Sequence, residues 1–193
     1  MSDNKIRCAW VKNTFERYKR YHDEEWGVPV HNDFVHFEFL TLEGAQAGLS
    51  WSTILKRREG YRRLFAGFNP EKVAGFSEET LEQIACNPAI VRHKKKVESV
   101  VSNARAFLQI QEEFGSFDAY IWEFVDGKPL INHFEKLEEV PTKTVMSDQI
   151  ARDLKNRGFA FVGSTIIYAY MQACGLVNDH ITTCYRHKEL LLD

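Results

Sequence analysis

Long hydrophobic runs are missing from this chain. No stretch of its 193 residues approaches the roughly 20 consecutive apolar residues that a membrane-spanning helix needs, and no secretory leader is expected ahead of Arg7. Cysteine is sparse: four, too scattered for a disulfide scaffold in a chain of this length, so a reducing, cytoplasmic setting is expected. Five prolines and eleven glycines leave no flexible linker, and there is no repeat or low-complexity tract. One domain spanning residues 1–193 is expected, with residues 1–6 a loose polar terminus. Charge excess is absent too. A balance of 25 Lys and Arg against 27 Asp and Glu gives a net −2, which argues against nonspecific polyanion binding but leaves room for a local basic patch. Strand signals are few, and the apolar pattern is helical nearly throughout, so the fold class is all-α.

What the chain has in abundance is aromatic surface. Fourteen Phe, seven Tyr and four Trp exceed what filling a core demands. Trp10, Tyr18, Tyr21 and Trp26 crowd a short region beside Asp23, Glu24 and Glu25, and supply either a stacking wall for a nucleobase or a satellite of the core. The stretch Glu43-Gly44-Ala45-Gln46-Ala47-Gly48-Leu49-Ser50-Trp51 follows an apolar segment from Phe34 to Leu42. A carboxylate carried to the end of such a segment is costly to bury without a purpose. Gly48 lets backbone approach a ligand, and Trp51 offers a flat face. A planar heterocycle fits that set; an ordinary exposed glutamate at a helical corner is the competing reading.

Helix signals recur along the chain. Ser50, Asn69-Pro70 and Ser77 read as helix starts. A long helix runs from about Arg92 to Phe114 and stops at Gly115. Ser116 opens a short helix, residues 126–144 are an irregular excursion, and Ser147 opens another helix toward Gly158. Ser164 to Cys174 form the last major helix. Between the last two lies a glycine-bearing hairpin ending at Gly163, a device for holding phosphate on free backbone N–H groups, with Lys155 and Arg157 adding charge. The run Arg92-His93-Lys94-Lys95-Lys96 is a second candidate phosphate contact, or simply a solvated face.

His180 and Cys184 stand four residues apart, on one face if that segment is helical. Cys8 and His22 lie near the other end of the chain. Two Cys and two His form a tetrahedral zinc set, closed and therefore structural, although the spacing alone equally permits a core cysteine and a surface histidine. Cys86 and Cys174 read as core. His31, His36, His93, His133 and His187 show no partner in the sequence.

Arg7-Cys8-Ala9-Trp10, Tyr21 through Pro29, Leu42 through Trp51, Gly158 through Gly163 and Met171 through His180 together resemble the bacterial 3-methyladenine DNA glycosylase I family, over about Arg7 to Tyr185. The resemblance implies a helix–hairpin–helix DNA glycosylase fold of two helical lobes around a base-binding pocket. It implies one structural Zn2+ held by Cys8, His22, His180 and Cys184, tying the N- and C-terminal segments. It implies that Glu43 contacts the edge of an extruded base as the catalytic residue, that Trp51 stacks on it, and that Tyr21 and Trp10 stand nearby. The Gly48-Leu49 turn would plug the duplex, and Gly163 with Lys155 and Arg157 would hold its backbone. The implied activity is hydrolysis of the N-glycosidic bond of 3-methyladenine in alkylated double-stranded DNA by a monomer, with no lyase step. The family lacks the catalytic aspartate usual in this fold, and Asp179, next to a ligand position, is not assigned that role. A helix–hairpin–helix DNA clamp without activity and a small-molecule enzyme with zinc-activated water are the competing readings.

Overall fold

The computed structural model describes residues 5–191; part of the loose terminus expected at residues 1–6 lies outside them. Among the described residues ten α-helices carry the fold: α1 Glu16–Glu24, α2 Asp33–Gln46, α3 Trp51–Leu64, α4 Pro70–Ala74, α5 Glu78–Cys86, α6 Lys94–Phe114, α7 Phe117–Glu123, α8 Val145–Asn156, α9 Ser164–Ala173 and α10 Tyr185–Glu189. Side chains cap most of the starts. Asn32 accepts from the backbone N–H groups of Phe34 and Val35, Ser50 from Thr53, Asn69 from Lys72, Ser77 from Thr80 and Ser116 from Ala119. Gly115 ends α6 at φ 84°, a left-handed conformation that glycine adopts without strain.

Helix α2 is the axis of the molecule. Its residues from His36 to Ala45 are all buried, because it packs on α9 on one side and on α3 and α6 on the other. Helices α4 and α5 extend the α6 side, while α8 pairs with α9. The two groups of helices share one continuous apolar cluster through α2, including Phe37, Leu42, Ile54, Phe107, Ile167 and Met171. The chain approaches itself closely at Gly175, where a Cβ would collide with the backbone of Val28 and Pro29.

Charge is also buried here. Arg58 donates to Glu38 at 2.7 Å and to Glu25 at 2.6 Å, and Arg62 donates to Glu38 at 2.8 Å. Arg58 and Glu38 are both out of water. Arg58→Met is expected to cost about 3 kcal/mol in urea denaturation, since it leaves the Glu38 carboxylate with only the half-exposed Arg62. An unchanged midpoint would show that the network is redundant.

Several expectations need correcting. The cap of helix α8 lies three residues before Ser147: it is Thr144, and Ser147 closes a reciprocal pair with it. The excursion holds a two-residue strand, β1 Leu130–Ile131, paired in parallel with β2 Val177–Asn178. Cys86 is exposed and is not a core residue, whereas Cys174 is fully buried. Four of the five histidines read as partnerless have partners. His31 and His36 both reach Asp118 at 3.1 Å, and buried His36 accepts from the Tyr170 hydroxyl at 2.6 Å. His93 caps α6, and His187 donates to the Asn132 carbonyl at 2.9 Å. The His133 ring meets that of His187 at 5.3 Å between centroids.

Candidate base pocket and metal centre

Glu43 lies one turn before the end of α2, where the helix faces an open cavity of about 210 Å³. Trp10, Tyr18, Tyr21 and Trp26 from the N-terminal segment form one wall, and Trp51, the first residue of α3, forms another. The aromatics brace one another: Trp10 meets Tyr18 at 5.4 Å and Trp26 at 5.1 Å between centroids, both edge to face, and Tyr21 meets Trp51 at 5.3 Å with the rings tilted by 47°. The apolar run before Glu43 thus carries a carboxylate into a pocket and not to an exposed corner.

Glu43 is 4% exposed, and among the described residues no hydrogen bond or ion pair reaches its carboxylate. Burial pushes its pKa up to about 8, because the charged form has lost water and gained nothing in return. Tyr21 is held well above the usual phenol range by burial and by the neighbouring Glu43, so its hydroxyl stays protonated. The Trp51 indole N–H is also buried without a partner. The cavity therefore presents an unpaired carboxyl group between flat aromatic faces, an arrangement that suits a planar, electron-poor ring with hydrogen-bonding edges.

On the far wall stands Asp179, which is saturated. Asn132 donates to one oxygen at 2.7 Å, while Tyr168 at 2.7 Å and Gln172 at 2.8 Å donate to the other. Two further polar residues of the pocket, Gln46 and Gln172, escaped the sequence reading. Gln46 had a signal, since it follows Glu43 by three residues on a helix. Gln172 had none. Leu137 and Val140 of the irregular excursion close the cavity.

The elements expected to grip DNA are placed as follows. Gly48 takes φ +78° in the α2–α3 turn, and the following Leu49 is exposed, as a probing side chain must be. Gly163 precedes α9 without a side-chain cap, which leaves the first-turn N–H groups for another acceptor. Lys155 is exposed on α8. Arg157 is committed to the protein: it donates to Asp153 at 2.7 Å and Glu113 at 2.6 Å, and stacks over Phe114 and Tyr120. Any hold it has on phosphate must compete with those carboxylates. In the basic run, Arg92, Lys94 and Lys95 are exposed, but Lys96 turns inward.

Beside the aromatic wall, Cys8, His22, His180 and Cys184 converge with their ligand atoms all within 4.8 Å of one another. The Cys184 Sγ lies 3.4 Å from His22 Nε2 and 3.5 Å from His180 Nδ1, and the Cys8 Sγ lies 3.6 Å from His180 Nδ1. His180 and Cys184 do not sit on a helix: His180 is in the loop after β2, and Cys184 caps α10. A turn, not helical periodicity, brings them together. The ring nitrogens are prepared for a cation. His22 Nδ1 donates to Asp23 at 2.8 Å and His180 Nε2 donates to the Trp26 carbonyl at 2.9 Å, so each opposite nitrogen keeps its lone pair facing the sulfurs. Burial pushes the Asp23 carboxyl up, but Arg7 and His22 outweigh it and hold it at about 2. Donor set, tautomers and burial fit a thiophilic metal ion.

The profile of the methyladenine glycosylase family matches residues 10–187. The chain belongs to that family. This family member is 47% identical over 178 residues to the DNA-3-methyladenine glycosylase 1 of Escherichia coli (strain K12), covering 92% of this chain and 95% of that one. It is 44% identical over 178 residues to the DNA-3-methyladenine glycosylase of Haemophilus influenzae, covering 92% and 96%. Among solved structures, a crystal structure of 3-methyladenine DNA glycosylase I superposes with a TM-score of 0.90 at 49% identity, over 93% of this chain and 98% of that one. The Staphylococcus aureus enzyme, solved to explain how it recognises 3-methyladenine, superposes at 0.89 with 36% identity, over 93% and 95%. The fold and the family implied by the sequence motifs are those found.

Proposed function

We propose that this protein is a base-excision-repair glycosylase that hydrolyses the N-glycosidic bond of 3-methyladenine in double-stranded DNA, acting as one monomeric cytoplasmic domain. The observation that carries this reading is the buried, unpaired Glu43 carboxylate between Tyr21 and Trp51. An adenine methylated at N3 and still attached to deoxyribose carries a positive charge; normal adenine does not. The pocket therefore rewards the lesion twice, through Glu43 and through attraction to the aromatic faces, and gives the healthy base neither. Extrusion from the helix costs a few kcal/mol, less where pairing is already damaged.

The cationic base is a good leaving group, so the protein has little chemistry to supply. Its residues bind the base, keep its positive charge facing Glu43, and fix the sugar where water reaches the anomeric carbon through an oxocarbenium-like state. The products are free 3-methyladenine and an abasic site. Leu49 fills the gap in the duplex, and the hairpin ending at Gly163, with Lys155, holds the backbone on α9's N-terminal amides without reading sequence. Cys8, His22, His180 and Cys184 would hold a single Zn2+ between them, and a set of four protein ligands would give it a structural role.

A backbone clamp without activity has no use for a buried carboxylate, and a closed metal site cannot activate water. Mass spectrometry of bases released from alkylated duplex DNA is expected to find 3-methyladenine in excess over normal purines. A protein that binds the duplex and releases nothing would refute the enzymatic reading.

A further inference from the structure

Helix α6 contributes no residue to the base pocket or to the metal centre, yet it touches both segments assigned to the DNA. The Lys96 ammonium donates to the carbonyls of Ala45 at 2.9 Å and Ala47 at 2.6 Å. These carbonyls lie at the C-terminal end of α2, where backbone acceptors have lost their helical donors and the helix end is negative. Lys96 thus caps α2 from another helix and fixes the start of the Gly48-Leu49 turn. Burial lowers its pKa from the ordinary lysine value, consistent with an ammonium withdrawn from water.

Two helical turns further, about 10 Å along the same face of α6, stands Asn103. Its side-chain amide donates to the Ala160 carbonyl at 3.0 Å and accepts from the Ala160 N–H at 2.8 Å. That is a two-point grip on the backbone of the α8–α9 hairpin. The neighbouring Phe161, held at φ 56°, lines a small cavity together with both anchors. It lies against Gly44, where a Cβ would come within 3.3 Å of the Phe161 Cβ, and its ring meets His93 of the same α6 start edge-on at 6.3 Å. The turn, the hairpin and the residue after Glu43 therefore meet along one strip of α6.

We infer that Lys96 and Asn103 are positioning residues that lock the Leu49 turn and the Gly163 hairpin into one register, so that gripping the backbone and filling the gap in the duplex occur as a single event. The inference rests on the reading of Leu49 as the plug. It gives the inward lysine of the basic run a purpose distinct from phosphate contact: its two acceptors are backbone carbonyls of the protein.

The test uses the full-length protein and a duplex carrying a stable tetrahydrofuran abasic analogue opposite 2-aminopurine, whose fluorescence changes when a side chain enters the gap. Leu49→Ala is expected to remove most of that change. Lys96→Met, similar in length but without the ammonium, is expected to reduce it and to slow single-turnover excision of 3-methyladenine about 10-fold, with Lys96→Arg recovering most of both. In the Leu49→Ala background, Lys96→Met should add less than about 2-fold, because the two act through one element; a merely stabilising lysine would give additive losses. If Leu49→Ala loses the signal while Lys96→Met keeps parental amplitude and rate, the register role is refuted and the plug survives. If Leu49→Ala itself keeps the parental signal, the plug reading fails and the inference with it. Should Lys96→Met not fold, Asn103→Ser is measured in the same way, and parental amplitude there overturns the proposal.

Discussion

The Glu43→Gln variant is expected to release 3-methyladenine from alkylated duplex DNA on the order of 10² times more slowly than the parent in single-turnover assays, and yet to unfold at a higher temperature at pH 8. Both halves follow from one carboxylate. In the empty pocket the Glu43 pKa is raised to about 8 from 4.5 by burial alone. The stability it allows is therefore fully present below about pH 4.5 and is lost as pH rises through 8, where the folded protein must finally hold an unpaired buried charge. That penalty is on the order of 4 kcal/mol near pH 8, and glutamine never incurs it. A cationic base reverses the sign: it pairs with the ionised form, so it displaces a proton from Glu43, and affinity for the cationic lesion should climb with pH up to about 8 and then level. Glu43→Gln should lose both the affinity and its pH dependence. Parental excision by this variant, or a flat parental pH profile, would remove Glu43 from the recognition of charge.

The signals around Glu43 were local, an apolar helical run, a small-residue turn and a tryptophan, but they left a pocket carboxylate and an exposed corner both open, and the family resemblance chose between them. The caps at Ser50, Asn69, Ser77 and Ser116 were legible because a side chain and the amides it satisfies lie within three residues. Thr144 and Ser147 are both cap-type residues bonded to each other, which is why the start of α8 was placed three residues late. Long-range relations left no trace. His36 finds Asp118 and Tyr170 across 82 and 134 positions, and Asn132 meets Asp179 across 47. The inward course of Lys96 has the same origin: the four basic residues of its run look alike in sequence, and only the packing of α6 against the end of α2 distinguishes one. The Cys2His2 cluster was legible by resemblance, because the spacing of His180 and Cys184 would join them only on a helix, and it is a turn that brings them together.

Removing the proposed ion from the Cys2His2 centre is expected to lower the thermal midpoint by roughly 10 °C and to abolish most excision, although Cys8 alone of the four residues lines the base pocket. The site joins Cys8 to His180 across 172 positions and His22 to Cys184 across 162, so it closes nearly the whole chain. A cross-link of that span restricts the unfolded state by an amount worth about 4 kcal/mol or more. The effect on activity is transmitted through packing. Trp10 meets the His22 ring edge-on at 5.0 Å, and Trp26 meets the His180 ring at 4.6 Å; both indoles line the base pocket. With the ion gone, the two thiols and two imidazoles no longer share a centre, the histidine rings lose their anchor, and the aromatic wall facing Glu43 loosens. Cys184→Ala should bind less than one equivalent of zinc by mass spectrometry and show faster amide exchange in residues 7–26 and 178–188, while the α2–α6 core stays protected because its apolar contacts do not involve the site. A metal-free protein with the parental midpoint and parental exchange in those two segments would show that the four residues hold no ion that matters to the fold, and would leave the stacking wall to be explained by its own contacts.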